Sequence, residues 1–178
     1  MSKNSNLVFI VLQVIAWIIF VGLCIEAGGL IVNFIFSLVR PETVKNLYQK
    51  LDMSEMYAKS KWAFFSMYSF ILAIAMLKAT MFYVVIRLVS KLDLAKPFNS
   101  FVSEQISLIS YYTFSVGLLS YIGRESARQL QHHGFVTDNL SRFWDDSQAY
   151  ILMAAVIYII AAIFSKGVEI QNENDLTV

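Results

Sequence analysis

Charged side chains are scarce in this chain: they make up 15% of its 178 residues, against about 25% in an average soluble domain. Their signs nearly cancel, leaving a formal net charge of +1. The basic surplus that direct nucleic-acid binding calls for is therefore missing. Cysteine occurs once, at Cys24, which excludes a disulfide within the chain. Cys24 follows Leu23 inside an apolar run, a poor setting for a lipoprotein cleavage site, and a thiol there behaves as a small hydrophobe. Two prolines and seven glycines are too few for a Pro- or Gly-rich linker. No internal repeat and no low-complexity tract is present.

The two histidines are the adjacent pair His132 and His133, which point about 100° apart on a helix. With no H-E-x-x-H pattern, they read as exposed loop residues, not metal ligands. A Gly-rich phosphate loop and a G-x-S-x-G elbow are absent. The serines have no histidine and acid at recognisable spacing. Paired discontinuous helices of the transporter kind are also missing. The expectation is a protein that is not an enzyme and carries no cofactor and no metal.

What the chain has is apolar length. Hydrophobic residues make up 57% of it. They gather in four runs, at about 7–39, 62–90, 101–122 and 149–165. A bilayer core of about 30 Å needs roughly 20 apolar residues as a helix. The runs therefore predict an all-α membrane protein, with four transmembrane helices in an antiparallel bundle. Residues 1–178 read as one four-span domain, with the lipid bilayer as its main solvent. The first run is too long for the apolar stretch of a signal peptide.

Span one, 33 residues, measures about 50 Å as a helix. It must tilt, project from the bilayer or bend near Gly28 and Gly29. After it comes Pro41, and then Val44, Leu47, Tyr48 and Leu51 at helical spacing. This predicts a short amphipathic helix lying at the interface. Trp62, Phe64, Phe65 and Tyr68 open span two as an aromatic belt. A short link containing Pro97 makes a hairpin of spans two and three. Span three extends beyond the bilayer through Arg124, Glu125, Arg128 and Gln131, with Gly134 as its C-cap. Asp138 or Asn139 is positioned to cap the next helix. Gly167 is placed to stop span four, leaving 168–178 as a polar tail that ends in Leu176, Thr177 and Val178.

Four spans put both termini on one side. Cations on that side are Lys3, Arg87, Lys91, Lys96 and Lys166; the other side has Arg40, Lys45, Lys50, Lys59, Lys61, Arg124, Arg128 and Arg142. The raw count favours external termini, but the second set occupies longer loops, so the densities are nearly equal and the orientation stays open.

Inside span one, Gly22, Glu26, Gly29 and Asn33 form one stripe on one helical face. Small residues admit a neighbouring helix, and polar ones bond across the contact. Glu26 read alone is also a proton or ion site. Lys78 lies near the middle of span two, where a cation costs at least about 2.5–3.5 kcal/mol. It must snorkel, pair or line a wet cavity, and a Glu26–Lys78 ion pair within the bundle is the expectation. Ser103, Ser107, Ser110 and Gly117 form a close-packing face on span three.

Two further segments carry a resemblance. One is Leu77-Lys78-Ala79-Thr80-Met81-Phe82, leading to Lys91, Pro97 and Phe98. The other, more distinctive, is the ending Ile163-Phe164-Ser165-Lys166-Gly167-Val168-Glu169-Ile170-Gln171-Asn172-Glu173-Asn174-Asp175-Leu176-Thr177-Val178. The chain resembles the uncharacterised bacterial four-helix membrane proteins grouped as domain-of-unknown-function family 2975. The resemblance implies a small multi-pass protein of the bacterial inner membrane, often encoded beside a short helix-turn-helix regulator. It brings no catalytic residues. It implies a sensor or membrane partner of a cytoplasmic helix-turn-helix regulator, with both termini cytoplasmic. Glu173, Asp175, Leu176, Thr177 and Val178 would then be docking residues on an extended tail. Two other readings stand beside it. One is a small transport or ion-leak protein using Glu26, Asn33 and Lys78; the other is a structural membrane subunit. The oligomeric state is open.

Overall fold

The computed structural model describes residues 3–92 and 97–176, and the side chains of these except 3–7, 41 and 174–176. The described residues are predominantly helical, with no strand beyond one isolated backbone bridge. The long helices are α1 (Lys3–Val39), α3 (Lys61–Lys91), α4 (Ser100–His132) and α5 (Ser147–Leu176), and α2 (Ser54–Lys59) is a short turn between α1 and α3. All four long helices are apolar enough and long enough to cross a membrane. They pack in chain order: α1 on α3, α3 on α4, and α4 on α5. The middle pair is the more buried. The outer pair, α1 and α5, exposes large aliphatic side chains such as Ile18, Ile25, Leu152 and Ile159. Helices apolar nearly all round need an apolar solvent or partner.

The helix ends follow local chemistry. Pro41 excludes the helical conformation at the residue before it, and Arg40 is extended at φ −130° and ψ 94°. Ser60 caps α3 by accepting from the Ala63 N–H at 3.3 Å, and Asn99 caps α4 by accepting from Val102 at 3.0 Å. The C-terminus of α4 closes in a Schellman motif: Phe135 N–H donates to Leu130 O at 3.1 Å and Gly134 N–H to Gln131 O at 2.9 Å. Gly134 takes the left-handed φ of +80° that this motif needs. Lys59 completes the end, its Nζ donating to the His133 and Gly134 carbonyls at 3.1 and 3.0 Å. A cation there suits the negative end of the helix dipole.

Three expectations need correction. The stretch after α1 is not an amphipathic α-helix. It forms two 3₁₀ turns, Pro41–Lys45 and Tyr48–Lys50, pinched by a Leu47 N–H to Leu51 O bond of 2.9 Å. Gln49 and Lys50 are both left-handed, at φ 57° and 59°, which costs about 1–2 kcal/mol each. Burial of Val44, Leu47 and Leu51, at most 2% exposed, offsets that cost at roughly 1.5–3 kcal/mol for each side chain. Three of the four apolar residues of the expected amphipathic face, Val44, Leu47 and Leu51, thus enter the protein core.

Asp138 and Asn139 do not cap the next α-helix either; they open a 3₁₀ stretch, Asp138–Phe143, before α5. The third correction concerns Gly167, which does not stop span four: α5 runs through it to Leu176. Its missing side chain makes room for the Phe98 ring, which lies where a Cβ would stand. Lys166 and Glu169 pair one turn apart and support the continuation.

The main core lies at one end of the helices. There the segments 40–60 and 133–147 fold over the start of α3 and the end of α4 as a cap. Phe64, Met67 and Tyr68 of α3 share one buried cluster with Leu51, Met53, Met56, Leu140 and Trp144 of the cap. Tyr68 donates its hydroxyl to the Leu30 carbonyl at 3.0 Å, and Phe34 stacks on its ring at 5.4 Å. Arg142 joins the two cap segments by donating to Gln49 O at 3.3 Å. A small second core of Val102, Ile106 and Ala161 lies at the far end.

Candidate functional site

Partner contacts set the depth of each helix. Gln13 on α1 donates to Ser90 on α3 at 3.1 Å, and Phe20 meets Tyr83 with ring centroids 6.1 Å apart. Residue numbers thus rise on α1 as they fall on α3. Moving six residues on from Phe20 reaches Glu26, and six back from Tyr83 reaches Leu77, the neighbour of Lys78. Both side chains are half-buried. Glu26 and Lys78 therefore occupy one level, closer in depth than their positions within the apolar runs imply.

They do not form the direct ion pair expected of them. Ion pairs among the described residues include Arg124–Glu125, Arg128–Glu125 and Lys166–Glu169, and none joins Glu26 to Lys78. Lys78 faces Tyr150 of α5 instead. The Lys78 ammonium stands 5.5 Å from the Tyr150 ring centroid, within cation–π range. Glu26 lies within electrostatic reach of the same phenol. An aromatic face can stand in for a carboxylate as partner to a cation sheltered from water.

Gly117 of α4 makes this possible. A Cβ on it would lie 2.8 Å from Ile151 Cγ1, 3.0 Å from Ile151 N and 3.1 Å from Tyr150 Cβ. The absence of a side chain lets α5 approach until Tyr150 reaches the layer. Seven residues earlier on α4, the buried Ser110 hydroxyl donates to Ala154 O at 2.9 Å, holding the same contact. One residue from each long helix therefore contributes to a layer of Glu26, Lys78, Gly117 and Tyr150.

The remaining candidates are dispersed. Gly22 has nothing within 4 Å of where its Cβ would stand. Gly29 accommodates the Tyr48 ring of the cap, which lies 2.5 Å from where a Cβ would stand, not another helix. Asn33 is half-buried two turns nearer the cap. Ser103 and Ser107 are half-buried, with the Ser107 hydroxyl donating along its own helix to Ser103 O at 3.0 Å. Glu173 is exposed near the end of α5. Asp175 and Leu176 are helical, their side chains outside the description, and Thr177 and Val178 lie outside the described residues. The docking set therefore starts on a helix, not on an extended tail. Among the described residues no three His, Cys, Asp or Glu side chains gather as metal ligands would.

Sequence reasoning missed Tyr150, which sits at the edge of an apolar run and looks like an interfacial aromatic. Its signal is relational: it becomes visible only once Gly117 and Lys78 are set level with it. Comparison with protein-family models, curated proteins and solved structures finds no match to this chain.

Proposed function

We propose that this chain is a multi-pass protein of a bacterial inner membrane that carries a signal from an external cap to a cytoplasmic helix-turn-helix regulator. In this reading the four long helices cross the bilayer antiparallel, with both termini inside and the cap outside. The observation that carries it is the continuity of α5. One helix, Ser147–Leu176, starts beside the buried cap residue Trp144, passes Tyr150 in the polar layer and ends in the segment after Gly167. A rigid helix transmits a tilt or rotation at one end to the other, whereas a broken tail does not. The resemblance to family 2975 supports the bacterial setting and the regulator as partner.

The polar layer fits a two-state role. A half-buried carboxylate level with an ammonium that rests on an aromatic ring leaves the ammonium two partners to choose between, and interfaces of that kind switch between packings. The arrangement supports transport less well, since α5 presents an almost wholly apolar surface and an aqueous path needs polar faces on several helices. The test is co-purification with the regulator that the resemblance places in the neighbouring gene. The full chain should retain it. A chain ending at Gln171, present in membranes at the same level, should not. Equal retention by both refutes the docking role of the α5 end.

A further inference from the structure

A cleft of about 540 Å³ opens between the start of α3 and the end of α4, beside the cap. That volume is in the range of small-molecule sites. Its two halves differ in chemistry. Ala63, Met67 and Leu130 make an apolar floor. Ser66, Ser126 and Gln129 line the polar half, and their side chains make no hydrogen bond to another described residue.

His133 borders the same half. Its Nδ1 lies 2.8 Å from the Gln129 carbonyl, which can only accept, so Nδ1 carries the proton and Nε2 has no partner among the described residues. The Lys59 ammonium lies 4.5 Å over the ring of Phe135, another lining residue. No carboxylate lines the cleft, and nearby Glu125 is paired with Arg124 and Arg128. Two hydroxyls and an amide with no competing anion in the lining suit the oxygens of a phosphate ester, and the Lys59 charge, held on the His133 and Gly134 carbonyls, lies close by. Trp62 stands at the rim, 87% exposed, where α3 begins; an indole so placed suits the headgroup level of a bilayer.

We propose that this cleft binds the phosphate-bearing headgroup of a membrane phospholipid, with the head of its acyl chain on the Met67–Leu130 floor. The occupant is a lipid because the cleft joins hydroxyls and an amide to an apolar floor at the end of a helix long and apolar enough to cross a membrane, with Trp62 at its rim. The proposal rests on membrane insertion but not on the regulator or on the orientation of the chain.

The test uses the full chain, extracted in mild detergent and exposed to vesicles of phosphatidylcholine with phosphatidylglycerol. Native mass spectrometry then counts retained lipid. The variant S126A/Q129L should hold phosphatidylglycerol about tenfold more weakly, the effect of losing two hydrogen bonds. Arg142→Gln, which removes a cap cation away from the cleft, should retain it as the parent does. Unchanged retention in S126A/Q129L with native helical content overturns the assignment. Should that variant lose helicity, Ser66→Phe, which fills the cleft from its exposed edge, takes its place under the same criterion. Glycerol phosphate should displace no lipid. Displacement would assign the cleft to free phosphate esters and overturn the lipid assignment. A chain recovered as soluble protein overturns the membrane reading as well, whereas a membrane-bound chain that holds no lipid overturns this proposal alone.

Discussion

Tyr150 Cβ lies 3.1 Å from where a Gly117 side chain would begin, so the two residues share one space between α4 and α5. The crowding extends to backbone, with Ile151 N at 3.0 Å, so a flexible side chain cannot relieve it. Gly117→Ala should therefore destabilise the fold by about 1–3 kcal/mol, as overpacking does. Gly22→Ala should cost nothing, since its Cβ meets open space and Ala is the better helix former. Unfolding in mild detergent, followed by circular dichroism, separates the two. Equal effects would contradict the packing described.

Tyr68 offers a second check. Its ring is buried and its hydroxyl bonds across helices to Leu30 O at 3.0 Å. Tyr68→Phe keeps the ring stacking and loses the bond. The expected loss is about 1 kcal/mol, measured in the same unfolding assay. No change would mean the two helices are not held together there.

The polar layer predicts non-additivity. Lys78→Ala leaves Glu26 sheltered without its compensating cation and should destabilise more than the double change E26Q/K78M, which removes both charges. The coupling should be about 0.5–3 kcal/mol, below that of a fully buried pair because both groups are half-exposed and not in direct contact. Tyr150→Leu should lower stability as well, by removing the aromatic partner of Lys78. Equal losses for the single and double variants would dissolve the layer as a unit.

Asp52 gives the cap a small acid sensitivity. Its carboxylate accepts from the Ser54 hydroxyl at 2.7 Å and from the Ser54 N–H at 2.9 Å. These bonds, with Lys45 nearby, hold its pKa below the ordinary aspartate value. A folded pKa below the unfolded one adds stability above the unfolded value, and that stability is lost as pH falls through the folded one. Melting temperature should fall less in Asp52→Asn than in the parent as pH drops from about 5 to 3. The effect is small because the carboxylate is exposed. Parallel curves would show that the turn contributes nothing.

The apolar runs located the four long helices because length and hydropathy leave a chain few alternatives. Gly134 was readable too, as a glycine just past a run of helix-forming residues. The cap was not. Gln49 and Lys50 carry no mark of left-handed backbone, which usually falls to Gly or Asn; tertiary burial of Leu47 and Leu51 imposes it. Gly167 misled because a glycine near a polar boundary signals a helix stop, and nothing local reveals the Phe98 ring that occupies the space. Glu26 and Lys78 were legible as residues that need a partner. Which partner Lys78 takes depends on the seating of α5, and so on Gly117, a residue on another helix that no local pattern links to it.

The most direct test of the account is the side of the membrane on which each end lies. A reporter active only in the cytoplasm, fused after Val178, is compared with the same reporter inserted in the cap at Asn46. The account predicts activity from the C-terminal fusion and none from the cap fusion. Activity from the cap fusion alone would place the cap inside and the α5 end outside. That would contradict the proposed signalling direction and make the cap the face that meets cytoplasmic partners.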